Sequence, residues 1–468
     1  MKKQLLVILI SAFFGLYVHA QTQLWGTAMA GGASGHGTIF YADGSGNNFQ
    51  QAASIYEPEG STPLGIMVLA DNNSLYGECL HGGASDSCVI FRFDPYTGVY
   101  TMVYDFFTNP SNGVGNYGGM VKGTDGMLYG LGGSGGTGSA GVIYKVNPLT
   151  DTYTKIYDLS TSTGSSPSGH LVQLSDGKLY GMTYGGGANS SGVIFSYDPV
   201  TSNYNMLYSF DTLTGGHPVY GSLFQASNGK LYGMTPAGGL YHQGVIFSFD
   251  LSTLTYDALH HFDGLTGSKP QATFAQASNG LLYAATYFGG TYDKGVLFSF
   301  NIQTNTYTSL VNFDSINGEY PRRGLTASSS GLLFGTTTGG GVNAMGVAFK
   351  FDIATNTFTK IHDFWGLTTG NAPDAELLET PVLTPVITSI SCANPSGRLN
   401  AYPNPAGSII TVDADDSEQV ISFFDVAGRK LTSIKTSSLQ RTSVDVSGFP
   451  NIFFLKTQSR EVKKIVRN

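Results

Sequence analysis

A repeat of about 51 residues constrains this chain more than any other feature. The segments LWG, LYG, LYG, LYG, LYG, LYA and LFG begin at Leu24, Leu75, Leu128, Leu179, Leu231, Leu282 and Leu333, at spacings of 51 to 53 residues. A second landmark keeps step: GTIF, CVIF, GVIY, GVIF, GVIF, GVLF and GVAF start at Gly37, Cys88, Gly141, Gly192, Gly244, Gly295 and Gly346. Seven copies are present. A unit this short cannot bury a core by itself, so neighbouring copies must pack on one another.

The fourth copy, Pro167 to Asp211, parses into four short strands at about His170–Leu174, Lys178–Thr183, Gly192–Tyr197 and Tyr204–Ser209. The joints carry turn chemistry. Asp176-Gly177, Asn228-Gly229 and Asn279-Gly280 tolerate the positive φ of tight hairpins. In Asp94-Pro95-Tyr96-Thr97 and Asp198-Pro199-Val200-Thr201 a carboxylate precedes proline at the second turn position, and Asp250 and Asp352 recur at the same place. A Gly-rich loop such as Gly185-Gly186-Gly187 joins the second and third strands. Four antiparallel strands at this period predict an all-β fold, a seven-bladed β-propeller. The register of the ends predicts closure: the first copy lacks its first strand, and Glu376-Leu377-Leu378-Glu379 follows Pro373 in the place of an eighth, to pair into the first blade. An open solenoid would leave two uncapped edges.

Composition agrees with this reading. Only 12% of residues are charged, whereas there are 63 Gly, 27 Tyr and 29 Phe, too many aromatics for a disordered chain and too many glycines for a helical bundle. The formal net charge is −8. Residues 21–380 hold 12 basic and 25 acidic side chains, net −13, and residues 399–468 hold 9 and 7, net +2. An acidic body excludes nucleic acid as an expected partner.

The N-terminus reads as a signal peptide over residues 1–20, with Lys2 and Lys3 before an apolar stretch and cleavage between Ala20 and Gln21. No later apolar run is long enough to span a membrane. In an exported protein Cys79 and Cys88, on the two sides of one loop, are candidates for a disulfide; Cys392 lies in a Pro/Thr/Ser linker, residues 381–398. Residues 399–468 show alternating and β-branched runs that predict a small β-sandwich.

The repeat, with its ordered LYG, GGG, GVIF and DPxT elements, resembles the GloVer-type tandem repeats of choice-of-anchor surface proteins, which implies the fold and no activity. The last 70 residues resemble the type A sorting domain of the type IX secretion system, through Tyr402-Pro403-Asn404-Pro405-Ala406, FDVAGRKL with Asp425 and Gly428, VDVSG from Val444, and the closing Lys463-Lys464-Ile465-Val466-Arg467-Asn468. That resemblance implies the secretion machinery as a partner, export through periplasm and outer membrane, removal of the tail, and release or attachment at the surface.

The propeller strand order sends the tight turns to one face and the Gly-rich and blade-joining loops to the other. Loops on a rigid scaffold are where binding residues concentrate. Residues that break the repeat on that face are His170, His217, Tyr220, Tyr241, His242, Tyr287, Tyr292, Arg322, Arg323 and Trp365, and of these His170, His217, Tyr220, His242, Tyr287, Arg322 and Arg323 are taken as ligand-binding. Aromatic faces with His and Arg donors suit a glycan or protein ligand at the channel mouth. The chain is therefore expected to be a secreted or cell-surface binding module, monomeric, with no catalytic motif, metal set or cofactor motif. A secreted enzyme acting on polysaccharide or peptide from the same face is the second reading, with Glu319, Glu376 and Glu379 as its candidate carboxylates.

Overall fold

In a computed structural model of the chain, the described residues are 22–115, 118–366, 368–383 and the strand segments between 400 and 466. The proposed cleavage site at Ala20 and Gln21, the linker beyond residue 383 with Cys392, and Asn404, Pro405 and Gly428 lie outside them. The chain divides into two compact units, residues 1–383 and 384–468.

The first unit is a seven-bladed propeller of antiparallel sheets. The fourth blade has the same strand set as the sixth, whereas in the second the inner strand is continuous over Ser61–Leu69. The outer three strands of the fourth blade are Leu179–Gly185, Val193–Tyr197 and Tyr204–Ser209. Its inner strand differs from the continuous His170–Leu174 expected above: it is split into Ser165–Pro167 and Val172–Gln173, both paired with Leu179–Gly185. Proline has no N–H for the ladder, and the Ser168–Leu171 backbone between the two pieces turns to meet the next blade. The Asx-Gly hairpins form as expected, and their Asx side chains do a second job: Asp125, Asp176, Asn228 and Asn279 bond the tyrosine hydroxyl of the following LYG or LYA at 2.8 to 2.9 Å. Asp94, Asp198, Asp250 and Asp352 accept turn N–H groups, as turn formers should.

Ring closure is achieved by the end of this unit. Leu378–Pro381 pairs with Thr22–Ala30 of the first blade, placing Trp25 opposite Leu378 and Leu24 opposite Glu379, and Asn371–Pro373 pairs with Ala28 and Ala30. Glu376 and Leu377 fall between these two pieces rather than in a ladder.

The core lies between blades. The third strands, such as Val245–Asp250, are buried on both faces, and each is joined to its outer neighbour across a β-bulge at the same position, Ile39/Phe40, Ile90/Phe91, Ile143/Tyr144, Ile194/Phe195, Ile246/Phe247, Leu297/Phe298 and Ala348/Phe349. The bulge adds the twist that blades need to fan around an axis. Parallel ring stacks link successive outer strands: Tyr104 on Tyr153 at 3.9 Å, Tyr157 on Tyr204 at 4.7 Å, Tyr208 on Tyr256 at 4.3 Å and His260 on Tyr307 at 4.3 Å.

Cys79 and Cys88 are both free, which corrects the disulfide expected for them. They sit on opposite faces of the second blade. Cys79 packs with Trp25 and Ile39 toward the first blade, and Cys88 with Met120 and Tyr144 toward the third. Burial pushes both thiols up to about 12, so they behave as small apolar side chains.

The second unit contributes two antiparallel sheets. One has the order Asn400–Pro403, Ile409–Asp413, Arg441–Asp445, and the other Lys430–Thr436, Gln419–Asp425, Ile452–Lys456, Val462–Val466. Tyr402, Pro403, Asp425, Lys463 and Lys464 fall in these strands. No helix among the described residues is long and apolar enough to cross a membrane.

Candidate binding site

The inner strands of the propeller descend from the loop face to the tight-turn face in layers. One layer is Gly65, Gly118, Gly169 and Gly221 on blades two to five, and Ala272, Arg323 and Ala375 on blades six, seven and one. On the glycine side the backbones of adjacent blades touch. A Cβ on Gly118 would lie 2.2 Å from the Gly169 carbonyl carbon, and one on Gly169 would lie 2.3 Å from the Gly221 oxygen. Across the ring Arg323 takes the same place, and its guanidinium reaches Asp374 on the neighbouring blade and the Tyr220 ring of blade five.

Arg323 and its neighbour organise the loop-face mouth. The Arg323 Nε and Nη2 donate to the two oxygens of Asp374 at 2.8 and 3.1 Å, with Arg323 buried and Asp374 fully so. Arg322 Nη1 donates to the same carboxylate at 3.2 Å, and its Nη2 donates to the Tyr287 hydroxyl at 3.2 Å. The Arg322 guanidinium lies between two rings, 5.3 Å from Tyr220 and 5.1 Å from Tyr287, and Arg323 lies 4.9 Å from Tyr220. Burial lowers the Arg322 pKa, but Asp374 and Tyr287 outweigh it and hold the group above its ordinary value. Its Nε is buried without a hydrogen-bond partner among the described residues. Two cations thus share one buried anion in a body that is otherwise acidic.

The loop-face side chains around this cluster are aimed by a repeated backbone device. Thr62, Ser166, His217, Lys269, Tyr320 and Ala372 each adopt a positive φ between +48° and +62°, and each donates its N–H to a carbonyl of the preceding blade at 2.8 to 2.9 Å. Tyr320 packs against Tyr287 and Phe288 with centroids 5.5 and 5.4 Å apart. Lys294 bonds the Tyr320 hydroxyl and Glu319, both at 2.8 Å.

The structure therefore brings together Tyr220, Tyr287, Arg322 and Arg323 from three blades. His217 instead packs on Tyr184, with ring centroids 4.9 Å apart and its Nδ1 3.1 Å from the Tyr184 carbonyl. His242 lies exposed in the Gly239–Gly244 loop. Tyr241, Tyr292 and Trp365 are half exposed or more. Asp374 escaped the sequence reading. It follows Pro373 in the closing segment, so the proline series pointed to its position, but nothing marked its partners 51 and 52 residues earlier.

His170 lies one layer deeper, in the central channel, with Glu376 from the closing segment at the equivalent position. Arg323 acts electrostatically on both. Below this layer the channel holds about 560 Å³ and continues to the tight-turn face, where Lys122, Gln276 and Ala327 line it. The open volume is thus on the side away from the Arg322 cluster. Of the other candidate carboxylates, Glu319 is held by Lys294 on the loop face, and Glu379 accepts from Thr22 and Ser329 where the ring closes. Glu319 is thus apart from the other two, while Glu376 and Glu379 line the inner end and the rim of the same channel.

Residues 106–284 and 214–390 match the family model of the Gloeobacter/Verrucomicrobia repeat, together more than half of the chain, and residues 400–468 match that of the secretion system C-terminal sorting domain. No curated protein matches the chain. Among solved structures, two provisionally assigned 6-phosphogluconolactonases, from Bacteroides fragilis and Bacteroides uniformis, are similar with TM-scores of 0.53 and 0.51. Each is 15% identical, over 78% and 77% of this chain and 99% of theirs, a likeness that extends to the fold alone.

Proposed function

From a chain that belongs to the Gloeobacter/Verrucomicrobia repeat family and carries a secretion-system sorting domain at its C-terminus, we infer a binding module whose propeller holds a glycan or protein ligand on its loop face. The sorting domain directs the chain through the type IX system to the cell surface or the medium. The observation that carries the reading is the Arg322 guanidinium, held between the Tyr220 and Tyr287 rings at the loop-face mouth. Aromatic faces pack against sugar C–H groups or apolar side chains while guanidinium N–H groups reach ligand oxygens. Exposed apolar tips support it: Leu213, Leu265 and Ile316, at matching places in successive blade-joining loops, are each at least three-quarters exposed. The lactonase assignments of the Bacteroides structures belong to those proteins, and the resemblance carries no catalytic group to this chain.

In this reading residues 1–20 are removed as a signal peptide, 21–380 form the exported ring, 381–398 are a linker, and the two sheets of 399–468 pack as a sandwich read by the secretion machinery. Mass spectrometry of the exported protein should begin at Gln21 and lack the tail, and deletion of residues 399–468 should retain the ring inside the cell. A screen of the full chain against envelope and environmental polysaccharides and surface proteins should return a ligand; silence across all of them would contradict the binding reading.

A further inference from the structure

The channel volume beneath the Arg323 layer is not used by the loop-face reading, and its chemistry is one-sided. Its wall is apolar, built from the partly exposed side chains of Ile66, Val68, Val121, Val172, Phe224 and Leu378. At its inner end stand His170, Thr273 and Glu376. The His170 Nδ1 lies 3.1 Å from the Leu171 carbonyl oxygen. A carbonyl only accepts, so Nδ1 carries the proton and Nε2 keeps a lone pair; that Nε2 is buried with no partner among the described residues. The Thr273 hydroxyl oxygen already accepts from the Ser222 N–H at 3.1 Å. Glu376 lies over Gly324, whose place would not admit a Cβ, since one would come 2.2 Å from Glu376 Oε2. Among the described residues no hydrogen bond is made to the Glu376 carboxylate. Asp374, not Glu376, is the counter-ion that takes two hydrogen bonds from Arg323.

We propose that this cavity, entered from the tight-turn face, binds a cationic N–H group carried on a hydrocarbon stem: an ammonium or guanidinium seated on Glu376, beside His170, with its stem along the apolar wall. The Glu376 carboxylate at the inner end, to which no described residue donates a hydrogen bond, selects a cationic donor head, because an anion would meet like charge there. A buried polar group without a partner costs free energy that such a ligand recovers. A stem of about six carbons fits easily within about 560 Å³. Burial holds the Glu376 carboxyl up at about 7, so a bound cation would favour its ionised form. The charged groups that face it are His170 and Arg323 at the inner end and Lys122 and Glu379 at the rim, with Lys122 already engaged by Asp71 at 2.8 Å.

Calorimetric titration of the full chain at pH 8 with hexylammonium, hexanol and hexanoate tests this. Hexylammonium should bind, and hexanol and hexanoate at least tenfold more weakly. Glu376→Gln should weaken hexylammonium at least tenfold. Ala327→Trp, a substitution at an exposed position on the rim, should weaken it as well and serves if the Gln variant does not fold. A lysyl tripeptide in parallel separates the two sources of such a group: its binding indicates a peptide side chain, its failure beside hexylammonium a free amine. Equal binding of hexanol, preference for hexanoate, or no binding of either cation would overturn the proposal. None of these outcomes depends on the loop-face ligand.

Discussion

Asp374 is the single residue on which the loop-face cluster hangs, because both guanidinium groups reach it and it is fully buried. Asp374→Ala should lower the unfolding free energy by about 3–5 kcal/mol, since Arg323 would be left buried without its counter-ion; chemical denaturation measures this, and a loss below 1 kcal/mol would show that the pair adds little. Two other buried groups titrate with opposite sign. Glu376 has a folded-state pKa raised to about 7, so its proton is held more tightly in the folded state and stability rises as pH falls from 7 through 4.5. His260, stacked on Tyr307, is lowered by burial to about 4, so stability falls as pH drops from 6.5 through 4. Thermal midpoints taken from pH 8 to 4 should therefore show the native chain gaining on Glu376→Gln and losing ground to His260→Phe as acid is added. Parallel curves would contradict both assignments. The adjacent pair Arg322-Arg323 was legible in the sequence because it breaks a repeat poor in basic residues. Its carboxylate was not, since ring geometry rather than spacing brings Asp374 to it.

At the scale of elements, the repeat made the strands and turns legible, and the exceptions have local causes. In the fourth and sixth blades the inner strand splits because it must both pair with the second strand and press its backbone on the next blade, as Gly169 does on Gly221. Periodicity carries no mark of such a contact. Closure was legible from the missing first strand, to within the shift of the ladder to Leu378–Pro381. That strand covers an edge that would otherwise be open to water and to other chains. Deleting residues 371–381 should lower the midpoint of thermal unfolding by well over 10 °C and bring self-association in light scattering; an unchanged midpoint would show that the ring does not depend on this latch. The free thiols of Cys79 and Cys88 mark where sequence proximity misled: residues on the two sides of one loop face opposite interfaces of one blade.

For the whole molecule, the low charge and the excess of Gly, Phe and Tyr are requirements of a scaffold repeated seven times, with aromatics stacked between blades and glycines at turns and close approaches. Of the residues that depart from the repeat, Tyr220, Tyr287, Arg322 and Arg323 form a cationic cluster on the loop face, and His170 and Glu376 stand at the inner end of an apolar cavity toward the turn face. The central claim is that the loop face binds through Arg322 and its flanking tyrosines. The most direct test is the equilibrium dissociation constant of the best ligand from the surface screen, measured for the full chain and for the Arg322→Ala and Tyr287→Ala variants with folding verified by circular dichroism. The account predicts at least tenfold weaker binding in each variant, and affinities that stay within twofold of the native chain would contradict it.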